Sequence, residues 1–153
     1  MKNAEIRKKL MRAKKGDTLV VGGSGFKIVE VVDYNLHTAA WRDILCRGLG
    51  NIEVVFELAD RDMVTVWHEV GLPEPIVFGG IIIFDGKEFS WEESGKPRVA
   101  VNGEDEEDRI DYAVYVRNRT VICLEQWSGV AMKAYKLMKE IPLSRMGIVL
   151  ESA

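Results

Sequence analysis

From residue 18 onward the chain alternates short runs of β-branched, aromatic and other apolar residues with clusters of Gly, Asn and Asp, the pattern of strands joined by tight turns. Five strands are predicted first, at 18–21, 26–34, 41–47, 52–58 and 63–70. Their joints include Gly22-Gly23-Ser24-Gly25, Gly48-Leu49-Gly50-Asn51 and Ala59-Asp60-Arg61-Asp62, all rich in residues that tolerate turn dihedrals. Gly71-Leu72-Pro73-Glu74-Pro75 then breaks the pattern, because each proline lacks an N–H and pushes its predecessor to an extended conformation. A second run follows at 76–78, 81–85, 88–92, 98–101, 111–116 and 121–126, with a hairpin signal at Asp85-Gly86. The stretch 130–141 reads two ways. Val130, Ala134, Leu137, Met138 and Ile141 share a helical face, whereas a strand would bury Met132, Ala134 and Met138 together with Lys136; periodicity favours the helix. Pro142 ends either one, and 146–150 closes the chain as a strand.

Before residue 18 the pattern is different. Residues 2–15 place Ile6, Leu10 and Ala13 on one narrow helical face, with bases elsewhere and Gly16 in the C-cap position. The expected fold is mainly β: a basic N-terminal helix or arm (1–15), then two halves (16–72 and 76–153), each a curled sheet or small barrel, in one compact unit. Phe26 to Trp67 spans 41 positions and Phe89 to Trp127 spans 38, a spacing that fits a duplicated β unit as well as independent meander segments.

Composition narrows the class. At 153 residues, 47% hydrophobic and 29% charged, the chain can bury a core and is neither disordered throughout nor membrane-resident. The longest apolar run, Gly79 to Phe84, is far too short to span a bilayer. The net charge of −3 hides an asymmetry: residues 1–15 hold seven bases and one acid, a basic arm on an acidic body. The two cysteines, Cys46 and Cys123, read as reduced thiols in apolar strands, and no export signal precedes them, so a cytoplasmic location is expected.

The chemical inventory is sparse. Neither His37 nor His68 has a His or Cys at metal-ligand spacing, so no metal site and no cofactor are implied. Gly22-Gly23-Ser24-Gly25-Phe26-Lys27 lacks the spacing and the Ser or Thr of a phosphate loop and is read as a hairpin turn. Glu104-Asp105-Glu106-Glu107-Asp108 is read as a solvated loop, without the ligand pattern of a calcium site. Trp41, Trp67, Trp91 and Trp127 are read as core. Residues 2–15 are expected to be separable from the fold, with Lys8, Lys9, Arg12, Lys14 and Lys15 available for electrostatic contact.

Gly16-Asp17, Gly25-Phe26-Lys27-Ile28-Val29, Trp41 with Asp43 and Leu45, Trp67-His68-Glu69-Val70, Gly86 to Glu93, Val101-Asn102-Gly103-Glu104 and Leu124-Glu125-Gln126-Trp127 together resemble an uncharacterised prokaryotic family of small β-rich proteins. The resemblance spans about residues 14–150. Where the family pattern carries a glycine in the strand after Glu-x-Trp, this chain has none in 131–140. The resemblance implies an accessory role, since such proteins are encoded near phage-shock and ESCRT-like membrane-stress genes or polyamine-synthesis genes; it brings no catalytic residues.

These readings converge on a non-catalytic binding or adaptor module with a protein partner, cytoplasmic or peripheral at the inner face of an anionic membrane. Homo-oligomers through free sheet edges would suit such a fold. A nucleic-acid-binding barrel is one alternative, disfavoured by the acidic body. The other is an accessory enzyme of polyamine or nucleotide metabolism, which would need carboxylates such as Glu57, Glu69 and Glu125 to converge with His68.

Overall fold

The computed structural model describes residues 2–106, 109–146 and 148–151. Among the described residues one α-helix, α1 (Asn3–Arg12), precedes thirteen strands: β1 (Thr18–Val21), β2 (Ser24–Asn35), β3 (Ala40–Arg47), β4 (Glu53–Leu58), β5 (Met63–Val70), β6 (Ile81–Phe84), β7 (Lys87–Gly95), β8 (Arg98–Val101), β9 (Glu104–Asp105), β10 (Ile110–Arg117), β11 (Thr120–Trp127), β12 (Lys133–Pro142) and β13 (Ile148–Glu151). All pairings are antiparallel, and the strands form one open sheet in the order β13-β1-β2-β3-β4-β5-β12-β11-β10-β7-β6, with β8 and β9 branching from β2. The mainly β expectation holds. The small-barrel form of it does not, because the ladder has free ends and is never closed by hydrogen bonds.

The turns obey their chemistry. Val21 pairs with Ser24 across Gly22-Gly23, both at positive φ, and Phe84 pairs with Lys87 across Asp85-Gly86, also both positive; a two-residue hairpin of this hand demands such dihedrals. The segment 130–141 is a strand rather than a helix. β12 lies between β5 and β11, where both its edges are hydrogen-bonded, and a bulge between Leu137 and Lys139 breaks the alternation that a sequence reader relies on. Residues 76–78 form no strand; Ile76 and Phe78 instead pack on the second core described below. Part of the acidic run forms β9, while residues 107 and 108 lie outside the described residues.

Alternation along the strands creates two faces. Ile44 and Cys46 of β3, Val54, Phe56 and Leu58 of β4, and Val64 and Val66 of β5 pack on the outer face beneath Ile6, Leu10 and Ala13. The N-terminal segment is therefore docked and integral, contrary to the expectation of a separable arm. Arg42 holds it there: its Nη1 donates to the Met11 carbonyl at 2.7 Å and to those of Leu10 and Ala13 at 3.3 Å, capping the end of α1. Asp33 receives the other side of that guanidinium at 2.7 and 2.9 Å.

A second outer core lies under the other half of the sheet, where Phe89, Ala113, Tyr115, Ile122, Leu124 and Ala134 meet Leu72, Ile76 and Phe78. Tyr115 pins the covering segment, its hydroxyl donating to the Gly79 carbonyl at 2.8 Å and accepting from the Gly79 N–H at 3.1 Å. Both cores occupy the same face of the sheet, so the sheet curls with its other face inward. Its two arms meet through rings: Tyr34 stacks on Trp41 at 5.1 Å, and Trp41 meets the edge of Tyr112 at 5.3 Å. Gly95 sits at this contact, where a Cβ would come within 3.1 Å of Tyr112 and 3.2 Å of Leu36.

Candidate functional site

The inward face encloses a cavity of about 270 Å³. β2 contributes Tyr34, β3 Asp43 and Leu45, β4 Val55 and Glu57, β5 Trp67, β11 Cys123, Glu125 and Trp127, and β12 Lys133 and Tyr135. Apart from Tyr34 and Trp127, each is the inward neighbour of an outer-core residue on the same strand, as the two-residue period requires. A bulge in β2, where Ile28 pairs with Cys46 but Glu30 pairs with Leu45, shifts the alternation so that Ile28 faces the outer core while Val32 and Tyr34 face inward.

Three carboxyl groups share this enclosure. Asp43 is 7% exposed, and its Oδ1 has no hydrogen-bond partner. Burial, then the neighbouring Glu57 and Glu125 carboxyls, push its pKa well above the usual carboxylate range. Burial also raises Glu57, opposed by the Thr65 hydroxyl, which donates to Glu57 Oε1 at 3.1 Å. Trp67 Nε1 donates in turn to Thr65 Oγ1 at 3.0 Å, which fixes the hydroxyl proton on Glu57. Glu125 is pushed up to about 7, chiefly by burial, against a hydrogen bond from Trp127. After burial, the Glu57 carboxyl is the largest influence disfavouring charge on Asp43.

The remaining groups are not poised for nucleophilic attack. Burial, reinforced by Glu125 and Glu57, raises the Cys123 thiol well above its ordinary value and suppresses the thiolate. Burial likewise raises the Tyr34 and Tyr135 hydroxyls, so both remain protonated donors. Among the described residues no three His, Cys, Asp or Glu side chains are placed to hold a metal ion.

The cavity continues into a wider cleft of about 930 Å³, which shares Glu57, Trp67, Cys123 and Glu125 with it. Asp60, Glu92, Glu93 and Glu140 line the cleft, and Arg61 is the one guanidinium or ammonium among its described lining residues. Such a wall focuses a negative potential at the entrance.

The bases singled out in the sequence lie elsewhere. Lys8, Arg12, Lys14 and Lys15 are exposed on or just after α1 and Lys9 is half-buried; among the described residues none of the five is in an ion pair, and none lines the cavity. Of the carboxylates weighed for an enzyme, Glu57 and Glu125 do converge. Glu69 sits exposed near the end of β5, and His68 belongs to the opposite side of that strand from Trp67. Asp43, Tyr34 and Tyr135 escaped the reading of the sequence. An acid flanked by apolar residues on both sides occurs at Phe56-Glu57-Leu58, while Asp43 and Glu125 each have one apolar neighbour, Ile44 and Leu124, and Tyr34 and Tyr135 carry no such signal. Of the tryptophans, Trp67 and Trp127 line the cavity, while Trp91 is 50% exposed and not core.

Comparison of the chain with protein-family models, with curated proteins and with solved structures finds no match in any of the three. No helix among the described residues is long and apolar enough to cross a membrane.

Proposed function

We propose that the chain is a non-catalytic binding module whose ligand seat is the inward-facing cavity. The observation that carries this reading is the unpartnered Oδ1 of buried Asp43 on the wall of a cavity lined by aromatic rings. A buried acceptor left without a donor costs about 1–3 kcal/mol, a cost that a chain selected only for stability would shed by placing an apolar residue there. The volume lies near the lower end of the range for small-molecule pockets. A binding role is favoured over thiol catalysis because burial suppresses the thiolate of Cys123, the one thiol on the cavity's described wall. The acidic entrance disfavours nucleic acid as the occupant.

An adaptor role with a protein partner has support from β6, which ends the sheet with one edge unpaired and carries exposed Ile81 and Ile83. The exposed Lys8, Arg12, Lys14 and Lys15 support attraction to an anionic membrane surface.

The seat is tested with a neutral probe, benzyl alcohol at millimolar concentration, followed by amide chemical shifts. Shifts confined to Asp43, Glu57, Trp67, Glu125 and Tyr135 and their neighbours, and lost when Leu45→Trp fills the cavity, are expected. Absence of shifts, or shifts unaffected by that filling variant, would overturn the reading.

A further inference from the structure

We infer that the ligand of this cavity is an organic ammonium ion. The inference rests on the proposal that the cavity is the ligand seat, and it names the chemistry of the occupant. Asp43, Glu57 and Glu125 all line the enclosure, Lys133 is the one cationic side chain on its described wall, and the arginine nearest in the chain, Arg42, is committed to Asp33 and to the end of α1. The site thus holds acceptors in excess of donors. A bound ammonium would bring both the missing positive charge and N–H groups for Asp43 Oδ1.

The rings agree with the charge. Trp67, Trp127, Tyr34 and Tyr135 line the same space, and ring faces attract cations, most strongly when water is excluded. A metal ion is the competing occupant, but it needs ligands converging on one point, and no such group exists among the described residues. Lining a cavity walled by aromatic rings, the carboxyls instead match a cation with organic bulk. The cleft leading inward, lined by Asp60, Glu92, Glu93 and Glu140, would concentrate cations before entry.

The groups around these carboxyls bear on how binding depends on pH. Asp43 is faced by Glu57 from β4, Glu125 from β11 and Tyr34 from β2; Glu57 is faced by Thr65, Arg61 and Glu93; Glu125 is faced by Trp127, Lys133 and Glu69. With carboxylates predominating, the empty cavity retains protons. A cation must displace them, so its affinity rises with pH through about 7, where Glu125 titrates, while the amine itself stays protonated. A neutral ligand shows no such rise.

The test compares benzylammonium with its neutral counterpart, benzyl alcohol, on the full chain, using calorimetry and the fluorescence of Trp67 and Trp127. Benzylammonium is expected to bind about tenfold or more tightly than the alcohol at pH about 8, with proton release and weaker binding at pH about 5.5. Asp43→Asn and Glu125→Gln should each reduce that preference. The pH comparison on the unaltered chain keeps the test decisive if either variant fails to fold. Equal binding of the two probes, or a preference indifferent to pH, would overturn the ammonium assignment and leave the ligand seat standing. Failure of both probes to bind would overturn the seat as well.

Discussion

Strands β3, β4 and β5 build two regions of opposite character from alternate residues. Outward, Ile44, Phe56 and Val66 are at most 4% exposed and belong to the apolar core beneath α1. Inward, one position along each strand, stand Asp43, Glu57 and Trp67 around a cavity. Both regions share backbone, twist and hydrogen-bond ladder, so the difference lies in side-chain chemistry alone. The outer face gains stability from every residue. The inner face keeps three buried carboxyls beside a cavity, with Asp43 Oδ1 left without a partner, an arrangement that folding does not require and ligand binding does.

The largest effects should come from the outer face. Leu10, 1% exposed, anchors α1, and Leu10→Ala is expected to cost about 2–5 kcal/mol in denaturant unfolding. Deleting residues 2–15 should cost more and expose apolar core, seen as dye binding and lost cooperativity. On the inner face Leu45→Ala, beside space that already exists, should cost distinctly less than Ile44→Ala on the same strand. Equal costs at 44 and 45 would erase the distinction between the faces.

Next in size is the response to pH. Glu125 has its pKa raised on folding, so the native state holds a proton that the unfolded chain has released between the ordinary carboxylate value of 4.5 and about 7. Stability is therefore greatest below that window and falls as pH rises through it, by up to about 3 kcal/mol from this group. Glu125→Gln should flatten the profile and make the protein more stable than wild type at pH 8, measured by urea unfolding at several pH values. A profile that rises through this window, or is unchanged by the substitution, would show the carboxyl to be hydrated.

Much of this contrast could be read in advance from the order of residues. Runs such as Glu53-Val54-Val55-Phe56-Glu57-Leu58 announce a strand, and Gly22-Gly23 and Asp85-Gly86 announce their turns, because each is decided within a few positions. What escaped was decided at long range. β12 stayed open between helix and strand because its central place between β5 and β11 and its bulge are tertiary facts, and its residues carry helical spacing by coincidence. The cavity was hidden for the same reason: Asp43, Glu57 and Glu125 are far apart in sequence and meet only once the sheet curls. The basic segment shows the reverse: Ile6, Leu10 and Ala13 are legible as an apolar face, but that so narrow a face docks on the core is decided by the strands beneath it.

Smaller than the core and carboxyl effects is the clamp between helix and sheet. Arg42 bonds both Asp33 and the carbonyls ending α1, so Arg42→Lys keeps the charge but loses the planar fork and should cost about 1–2 kcal/mol. Hydrogen exchange should localise the loss to α1, leaving the second outer core protected.

The smallest stability changes belong to the exposed bases, and there the comparison turns from folding to surface chemistry. Lys8, Arg12, Lys14 and Lys15 make no ion pair among the described residues, so substituting each by Gln should alter stability by no more than about 0.5 kcal/mol. Replacing all four leaves Ile6, Leu10 and Ala13 in place, which separates charge from packing in a way that deletion of residues 2–15 cannot. If these bases draw the protein to an anionic surface, the quadruple variant should sediment less with vesicles containing phosphatidylserine at low salt, and the wild-type interaction should weaken as salt screens it. Sedimentation that is unchanged by the substitutions would remove the membrane role from the helix and leave the inward-facing cavity, whose lining excludes all four bases, as the molecule's interaction site.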